Sequence, residues 1–296
     1  MGNVTIVDDS ALDLQSLTLS GNLVATGAGL TQSGGALTIG GTSSLTSTGT
    51  GNDIVLSASN DFGTSLLVTT DASAGSDATL VDSTSVSLGA SSVGGLLDVT
   101  GAGIDVTGVV SAGSLDLDAS GGDLTDTGGQ LTVAGTSTLT VTGPDVLTLD
   151  NASNDLNTVV LSSGTGGVTL VDADDIDLGA STLGGTLSVT ATTSNITDSG
   201  AVDVTGAATF TASNGSDVIL DTATNTFGST VSFASGGTLG NVTINAAAII
   251  DTNVTTTGNQ VYGGALTLAA NNTFTGTSIT FNDTVNGAFA LDINGN

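Results

Sequence analysis

Apolar and small polar residues alternate along most of the chain, in short runs. SLTLSG, ALTIGG and TLSVTA show the pattern, and the runs close with Gly, Asn, Asp or Ser. A period of two is typical of a β-strand, and the closing residues favour turns. The chain shows no helical stripe with caps, and its many Gly, Thr, Ser and Asn residues would weaken a helix. The sequence therefore predicts an all-β fold.

The strand-like runs also repeat over longer distances. LGASSVGG at 88–95 returns as LGASTLGG at 178–185, and the block 30–62 returns at 124–156 and at 196–227. The long repeat spans about 70 to 95 residues, and the short runs inside it recur about every 10 to 22 residues. A nested pattern of this kind indicates one structural unit stacked many times.

Two all-β architectures compete for this pattern. A β-sandwich usually carries an aromatic core and turns that close each domain separately, but only 3% of these residues are aromatic and no linker interrupts the repeats. A narrow solenoid core suits small and branched side chains, and Gly and Asn suit its corners. The sequence therefore favours a parallel β-solenoid of about 20 residues per coil, with two or three short strands in each coil.

The last third of the chain differs in composition. Asp becomes sparse after Asp221 and Asn becomes common, and most of the aromatic residues lie beyond position 200. We predict β-solenoid repeats over 1–234. Residues 235–296 either continue the solenoid or form a less acidic, aromatic-richer C-terminal section.

The charge excludes several classes of function. The chain has a net charge of -28, with no Lys, Arg, His or Cys, and every acidic residue is Asp. Nucleic-acid binding needs cationic side chains, nucleophilic catalysis by Cys or Lys needs those residues, and no apolar stretch is long enough to span a membrane. We therefore predict no nucleic-acid partner, no membrane insertion and no enzymatic activity.

Carboxylates are the remaining candidates for chemistry. The densest acidic cluster is Asp172, Asp174, Asp175 and Asp177, and Asp8, Asp9 and Asp13 occupy the related place in the first repeat. Calcium prefers oxygen ligands, which makes this cluster a candidate weak calcium site and calcium the one candidate cofactor. The spacing does not match an EF-hand. The alternative is that these residues close turns through side-chain hydrogen bonds.

Two further carboxylate motifs have a catalytic and a structural interpretation. Asp126-Thr127-Gly128 and Asp198-Ser199-Gly200 resemble the motifs of aspartic proteases, in which two carboxylates share a proton. Both stand at one equivalent repeat position, however, and the first copy has Gln32-Ser33-Gly34 there. Paired carboxylates could also hydrolyse glycosidic bonds, but sugar-holding aromatic and cationic groups are scarce. We favour the structural interpretation of both patterns.

The segments GNLVATGAGLTQSGGALTIGGTSSLTSTG (21–49) and GGQLTVAGTSTLTVTG (128–143) resemble the repeats of filamentous-haemagglutinin-like exoproteins and other giant bacterial adhesins. The likeness covers most of the chain and rests on composition and spacing. It implies a right-handed parallel β-helix that is exported and acts in adhesion, aggregation or biofilm. The secretion domain of that family has no counterpart here, and a complete lack of Lys and Arg is unusual for it.

These observations lead to a hypothesis about function. We expect a non-catalytic, extracellular β-solenoid segment of a bacterial surface adhesin or fibre. Its expected partners are glycans or proteins on host or neighbouring cells, and copies of itself, end to end or side by side. Two alternatives stay open: a self-assembling subunit of an extracellular filament or sheath, and a β-helical polysaccharide-active enzyme.

Overall fold

The computed structural model describes residues 1–295, in which every regular element is a β-strand and no α-helix occurs. The chain forms two compact units, Met1–Asp145 and Val146–Asn296, here called the N-terminal and C-terminal units. In both, strands pair in parallel with strands one coil away. Partners lie about one coil apart in sequence, as in Val86↔Ile104 and Leu17↔Leu37. The predicted parallel β-solenoid of about 20 residues per coil is confirmed.

The N-terminal unit contains short strands and three long ones that bend around a corner of the coil. Its strands are β1 (Val4–Val7), β2 (Leu12–Asp13), β3 (Leu17–Leu19), β4 (Leu23–Gly27), β5 (Leu30–Thr31), β6 (Leu37–Ile39), β7 (Thr42–Ser47), β8 (Ile54–Asn60), β9 (Ser65–Thr69), β10 (Ala78–Asp82), β11 (Val86–Leu88), β12 (Ser91–Gly101), β13 (Ile104–Val106), β14 (Val109–Ala119), β15 (Leu124–Thr125) and β16 (Gln130–Val141).

The C-terminal unit continues the same alternation with shorter strands. These are β17 (Leu147–Leu149), β18 (Asp155–Ser163), β19 (Val168–Asp172), β20 (Ile176–Leu178), β21 (Ser181–Leu183), β22 (Leu187–Ala191), β23 (Ile196–Asp198), β24 (Val202–Val204), β25 (Ala208–Ala212), β26 (Val218–Leu220), β27 (Thr226–Phe227), β28 (Val231–Ser235), β29 (Val242–Ile244), β30 (Ala248–Ile250), β31 (Val254–Thr255), β32 (Asn259–Tyr262), β33 (Leu266–Leu268), β34 (Asn272–Gly276), β35 (Ser278–Phe281), β36 (Val285–Asn286) and β37 (Leu291–Gly295).

Three stacks of strands matter for the sites described below. In the N-terminal unit, β8, β10, β12, β14 and β16 pair in that order. In the C-terminal unit, β17, β19, β22, β25 and β28 form one stack. A second stack there consists of β20, β23, β26, β29, β32 and β35.

The core lies inside each coil and follows from the period-two pattern. Alternate residues of a strand point inward, so the apolar positions form columns such as Leu80, Val99 and Leu117, which are fully buried. Burying each such side chain contributes about 1.5 to 3 kcal/mol. At corners, Gly is needed where the chain turns tightly. Gly63 has a φ of 82°, and a Cβ there would lie 2.1 Å from the Gly41 carbonyl oxygen.

The repeated LGAS segment has a structural explanation. The Ser91 hydroxyl accepts a hydrogen bond from the Val68 amide of the coil below at 3.0 Å and donates to the Gly89 carbonyl at 3.0 Å. Ser181 makes the same two contacts, with the Leu161 amide and the Gly179 carbonyl. The motif therefore joins neighbouring coils at a buried corner.

Residues 235–295 pair in parallel coils like those before them, and aromatic side chains stack between these coils. The Tyr262 ring stacks on Phe274 at 5.1 Å and on Phe281 at 5.3 Å between ring centroids. The boundary between the compact units lies after Asp145, well before the change in composition near residue 235.

Candidate functional site

Asp82 is a buried carboxylate at the end of β10. Its Oδ2 accepts a hydrogen bond from the Phe62 amide one coil earlier at 2.7 Å. Its Oδ1 accepts two more from Thr84, from the amide and from the hydroxyl, each at 2.7 Å. A short acidic side chain suits this task, because it can serve the next turn and the coil below together. We call this arrangement a corner cap.

Asp172 forms the same corner cap at the end of β19. Its Oδ2 accepts from the Leu156 amide at 2.7 Å and its Oδ1 accepts from the Asp174 amide at 2.9 Å. The side chain is fully buried. Burial opposes ionisation and raises the pKa of Asp172 to about 6, although both amide hydrogen bonds favour the charged form.

The other three residues of the predicted calcium cluster point to different neighbours. Asp175 accepts hydrogen bonds from the Ser194 hydroxyl at 2.5 Å and the Asn195 amide at 2.9 Å, and these lower its pKa. Asp177 accepts from the Ser199 hydroxyl at 2.5 Å. Asp174 is exposed. Residues 1–295 hold no group of three or more Asp, Glu, His or Cys side chains that could bind a metal ion. Calcium binding therefore stays a prediction to be tested.

Asp175 also begins a ladder of side chains that climbs one edge of the C-terminal unit. Its Oδ1 receives the Asn195 amide, Asn195 Oδ1 receives the Asp217 amide at 2.8 Å, and Asp217 Oδ1 receives the Asn241 amide at 2.7 Å. Asn241 Oδ1 in turn receives the Asn259 amide at 2.8 Å. Asp and Asn alternate here because both offer the same oxygen to the next coil.

The related residues of the first repeat also bind their neighbours. Asp13 accepts hydrogen bonds from the Ser33 hydroxyl at 2.5 Å and the Ser33 amide at 2.8 Å. Asp8 accepts from the Ser10 hydroxyl at 2.7 Å. The Ser33 and Ser10 hydroxyls, respectively, are the main cause of the lowered pKa values of Asp13 and Asp8.

The protease-like motifs occupy another buried corner. Asp198 Oδ2 accepts from the Asn225 side-chain amide at 2.5 Å, and Asn225 Oδ1 accepts from the Val202 amide at 2.8 Å. In the first repeat, the Asn60 side-chain amide donates to Gln32 Oε1 at 3.2 Å, and Asn60 Oδ1 accepts from the Leu37 amide at 2.8 Å. Asp126, at the equivalent position, is also buried. Asp198 therefore holds a buried asparagine in place, a task that Gln32 performs with an uncharged amide.

Three carboxylates are neighbours on the outer face of the stack formed by β8, β10, β12, β14 and β16. Asp98 stands opposite Asp116 on the neighbouring strand, and Asp118 lies two residues further along β14. Partial burial is the main cause of the raised pKa values of Asp98 and Asp116, and repulsion by neighbouring carboxylates adds to it. The Oδ1 atom of Asp118 is buried and has no hydrogen-bond partner among residues 1–295.

A third corner has lost its cap. Each of the three corners has an apolar residue two positions after an equivalent asparagine: Phe62 in NDF, Leu156 in NDL and Phe227 in NTF. Asp82 stands two residues after Leu80, which pairs with Leu56. In the third repeat, Ile244 pairs with Leu220 in the same way. The position two residues after Ile244 is therefore equivalent to Asp82, and it holds Ala246.

A groove of about 280 Å³ lies beside this uncapped corner. Phe227 is 8% exposed, whereas Phe62 is 1% exposed and Leu156 is fully buried. Ala247, Thr205 and Asp203 also line the groove. The Asp203 carboxylate accepts a hydrogen bond from the Thr226 hydroxyl. Sequence reasoning missed this groove, although the change from LVD to INA at 244–246 was its visible signal.

Comparison with known proteins identifies a family but no close relative. Three segments of the chain, 1–69, 103–163 and 165–234, match a family described as repeats of unknown function (DUF5649). No curated protein shows a significant match to the chain, and no solved structure does.

The matched segments correspond to the structural repeat. The first contains the corner pair Gln32 and Asn60, and the third contains the corner pair Asp198 and Asn225. Each also ends within a few residues of the apolar residue that follows the asparagine. Because the matches cover more than half of the sequence, the chain belongs to the DUF5649 family of repeats.

Proposed function

We propose that the chain is a structural, non-catalytic β-solenoid segment of a bacterial surface adhesin or fibre, located outside the cell. The observation that carries this proposal is the use of the acidic side chains. Asp82, Asp172, Asp198 and Asp217 all bind amide groups of neighbouring coils. Polar groups that serve the stacking of coils suit a scaffold better than an active site.

The composition supports an exposed, extended role. With a net charge of -28 and no cation in the side chains, the surface repels other anionic molecules and stays soluble. The chain has no Lys or Arg, so it offers trypsin no cleavage site. Such properties suit a protein that faces proteases and other cells.

Immunolabelling of the bacterium that makes the protein tests its location. Antibodies against the chain should label intact cells, and labelling should not increase after the cells are permeabilised. A signal that appears only after permeabilisation would refute the surface location. Deletion of the segment should then reduce cell aggregation or attachment, while an unaltered attachment would argue against a role in adhesion.

A second candidate is end-to-end assembly of copies of this chain. In the coil of β35 to β37, Val285, Phe289 and Ile293 are 39%, 47% and 50% exposed. Val285 and Ile293 pair with the buried residues Leu266 and Phe274 of the preceding coil. These strands offer hydrogen bonds and apolar contact to a further coil of any chain, and a second copy is the occupant that the next experiment tests.

Sedimentation and electron microscopy of the 296-residue chain test this assembly. We expect fibres that lengthen with concentration, and their loss in Ile293→Asp with no change in circular dichroism. A matched Thr273→Asp variant, on the outer face of β34, should still form them. Single particles at all concentrations would refute assembly by this chain.

The enzyme alternative has a direct test through Asp98 and Asp116. Hydrolysis of any polysaccharide, abolished in both Asp98→Asn and Asp116→Asn, would overturn the non-catalytic proposal. We expect no turnover above the uncatalysed rate.

A further inference from the structure

We propose that the groove beside Phe227 binds a small neutral ligand that carries an amide, with an N-acetylated sugar as the chemical class. The inference starts from the missing corner cap. At two equivalent corners, the carboxylate of Asp82 or Asp172 accepts the amide proton of the apolar residue below it. At the third, the Ala246 side chain carries no acceptor.

The Phe227 amide faces the side where the cap is missing. Gly228 donates its N–H to the Val204 carbonyl of β24 at 2.8 Å. Successive residues of a parallel strand direct their N–H groups to opposite neighbours. The Phe227 N–H therefore points away from β24, toward the next coil and Ala246. A sheltered amide needs an acceptor, and a ligand carbonyl supplies the oxygen that Asp82 and Asp172 supply elsewhere.

The walls of the groove define the rest of the ligand. Phe227 and Ala247 are apolar residues of the lining, and Asp203 and Thr205 are polar residues of the same lining. A ligand hydroxyl or N–H can donate to the Asp203 carboxylate. The volume of about 280 Å³ is close to the lower end of the range of roughly 300 to 1,000 Å³ for small-molecule sites.

The charge selects among ligands of that size. A carboxylate ligand would complete the corner cap, but the net charge of -28 and the nearby Asp203 oppose an anion. An acetamido group provides a neutral carbonyl oxygen for the Phe227 amide and a methyl group for the apolar wall. The hydroxyl groups of a sugar ring provide donors for Asp203. An N-acetylhexosamine satisfies all three requirements in one residue.

Nuclear magnetic resonance of the full chain labelled with ¹⁵N-phenylalanine tests this proposal. The chain has seven Phe residues, so the spectrum contains few amide signals. On titration with N-acetylglucosamine, the Phe227 amide signal should shift and saturate with a Kd that is roughly millimolar. The Phe62 amide, which is capped by Asp82, should not move. Glucose lacks the acetamido group and should bind at least about tenfold more weakly.

Ala246→Asp is the decisive variant because it introduces the cap found at the two other corners. It should move the free Phe227 signal and weaken sugar binding at least about tenfold. Unchanged signals from the other Phe residues will show that the variant folds. Phe227→Leu, which copies Leu156, is a second variant that should keep the fold and weaken binding.

Three results would overturn the proposal: no shift of Phe227 with N-acetylglucosamine, an equal response to glucose, or undiminished binding by Ala246→Asp. The proposal does not depend on cell-surface location. The sugar titration tests the groove, whereas labelling of intact cells tests the scaffold function, so either can fail alone.

Discussion

The corners at Asp172 and Ala246 occupy equivalent positions of the repeat, but one carries a carboxylate and the other a methyl group. Asp172 reaches the Leu156 amide, so the corner is closed and Leu156 is fully buried. At Ala246 the carboxylate is missing, Phe227 is 8% exposed, and a groove lies beside it. The comparison teaches that one short acidic side chain decides whether a solenoid corner is sealed or accessible.

Removing a cap from a closed corner should have the largest effect. Asp172→Ala leaves the Leu156 and Asp174 amides without their acceptor, and each buried unsatisfied group costs about 1 to 3 kcal/mol. We expect the free energy of unfolding at pH 7 to fall by about 3 kcal/mol, measured by urea denaturation. Asp174→Ala, at an exposed position of the same turn, is the matched control. Equal losses in both variants would refute the special role of the cap.

The pH dependence should separate the closed corner from the open one. The pKa of Asp172 is about 6 in the folded chain and about 3.9 when unfolded. The folded state therefore binds this proton more tightly, and the contribution of Asp172 to stability rises as the pH falls from about 7.5 to 4.5. The expected gain from this group is about 2 kcal/mol.

Asp172→Asn isolates that contribution, because it keeps an oxygen acceptor and cannot titrate. The wild-type chain should gain more stability on acidification than this variant. Identical pH profiles would show that Asp172 titrates normally. The other aspartates are the same in both proteins, so their repulsion cancels in the difference.

Adding a cap to the open corner should give a smaller gain. Ala246→Asp supplies an acceptor to the Phe227 amide, and a hydrogen bond of this kind contributes about 1 kcal/mol. We expect Tm to rise by about 2 to 4 °C. Because a buried carboxylate opposes ionisation, the rise should be larger at pH 5 than at pH 8. Ala246→Val adds volume without an acceptor and should not raise Tm.

Surface carboxylates outside the corners should matter less. Asp116→Asn relieves repulsion with Asp98 and Asp118, which contributes to the raised pKa of Asp116. This partly solvated group should contribute only about 0.5 kcal/mol. Thermal unfolding at low ionic strength should show the gain, and high salt should abolish it. A gain that persists in high salt would indicate packing rather than charge.

Calcium should have the smallest specific effect. The carboxylates of Asp172, Asp175 and Asp177 already accept hydrogen bonds from neighbouring coils. We therefore expect calcium to raise Tm no more than magnesium at equal ionic strength, through screening alone. A shift produced by calcium only, and reversed by a chelator, would establish a defined site at this cluster.

The fold could be predicted from local patterns. Alternation in segments such as SLTLSG and the absence of helical stripes indicate strands, and the spacing of the runs indicates coils of about 20 residues. The structural interpretation of Asp198 also follows from sequence comparison, because Gln32 at the equivalent position cannot share a proton as a second aspartate would. The calcium site stays a prediction: its four aspartates span the bend between β19 and β20, and the side chains of Asp172, Asp175 and Asp177 bind different neighbours.

The sequence does not predict what happens at the open corner. INA at 244–246 differs from LVD at 170–172 at all three positions and lacks its carboxylate, but the effect of that loss depends on the residues of the coil below. Asp172 is the last residue of β19, in the β17–β28 stack. Ala246 lies two residues after β29, in the β20–β35 stack. Equivalent residues of successive repeats thus reach different stacks, because the repeat is not a whole number of coils.

The sequence by itself determined the strands, the turns and the kind of core, since each depends on residues close together in the chain. Only the tertiary structure decided which aspartates are buried, which amides they bind and where a groove remains. The physical reason is that each coil contacts residues 15 to 28 positions away, as the contacts of Gln260 and Asn60 show. Small differences in coil length determine which residue of the neighbouring coil lies beside an aspartate. That neighbour determines whether the aspartate closes a corner or faces water.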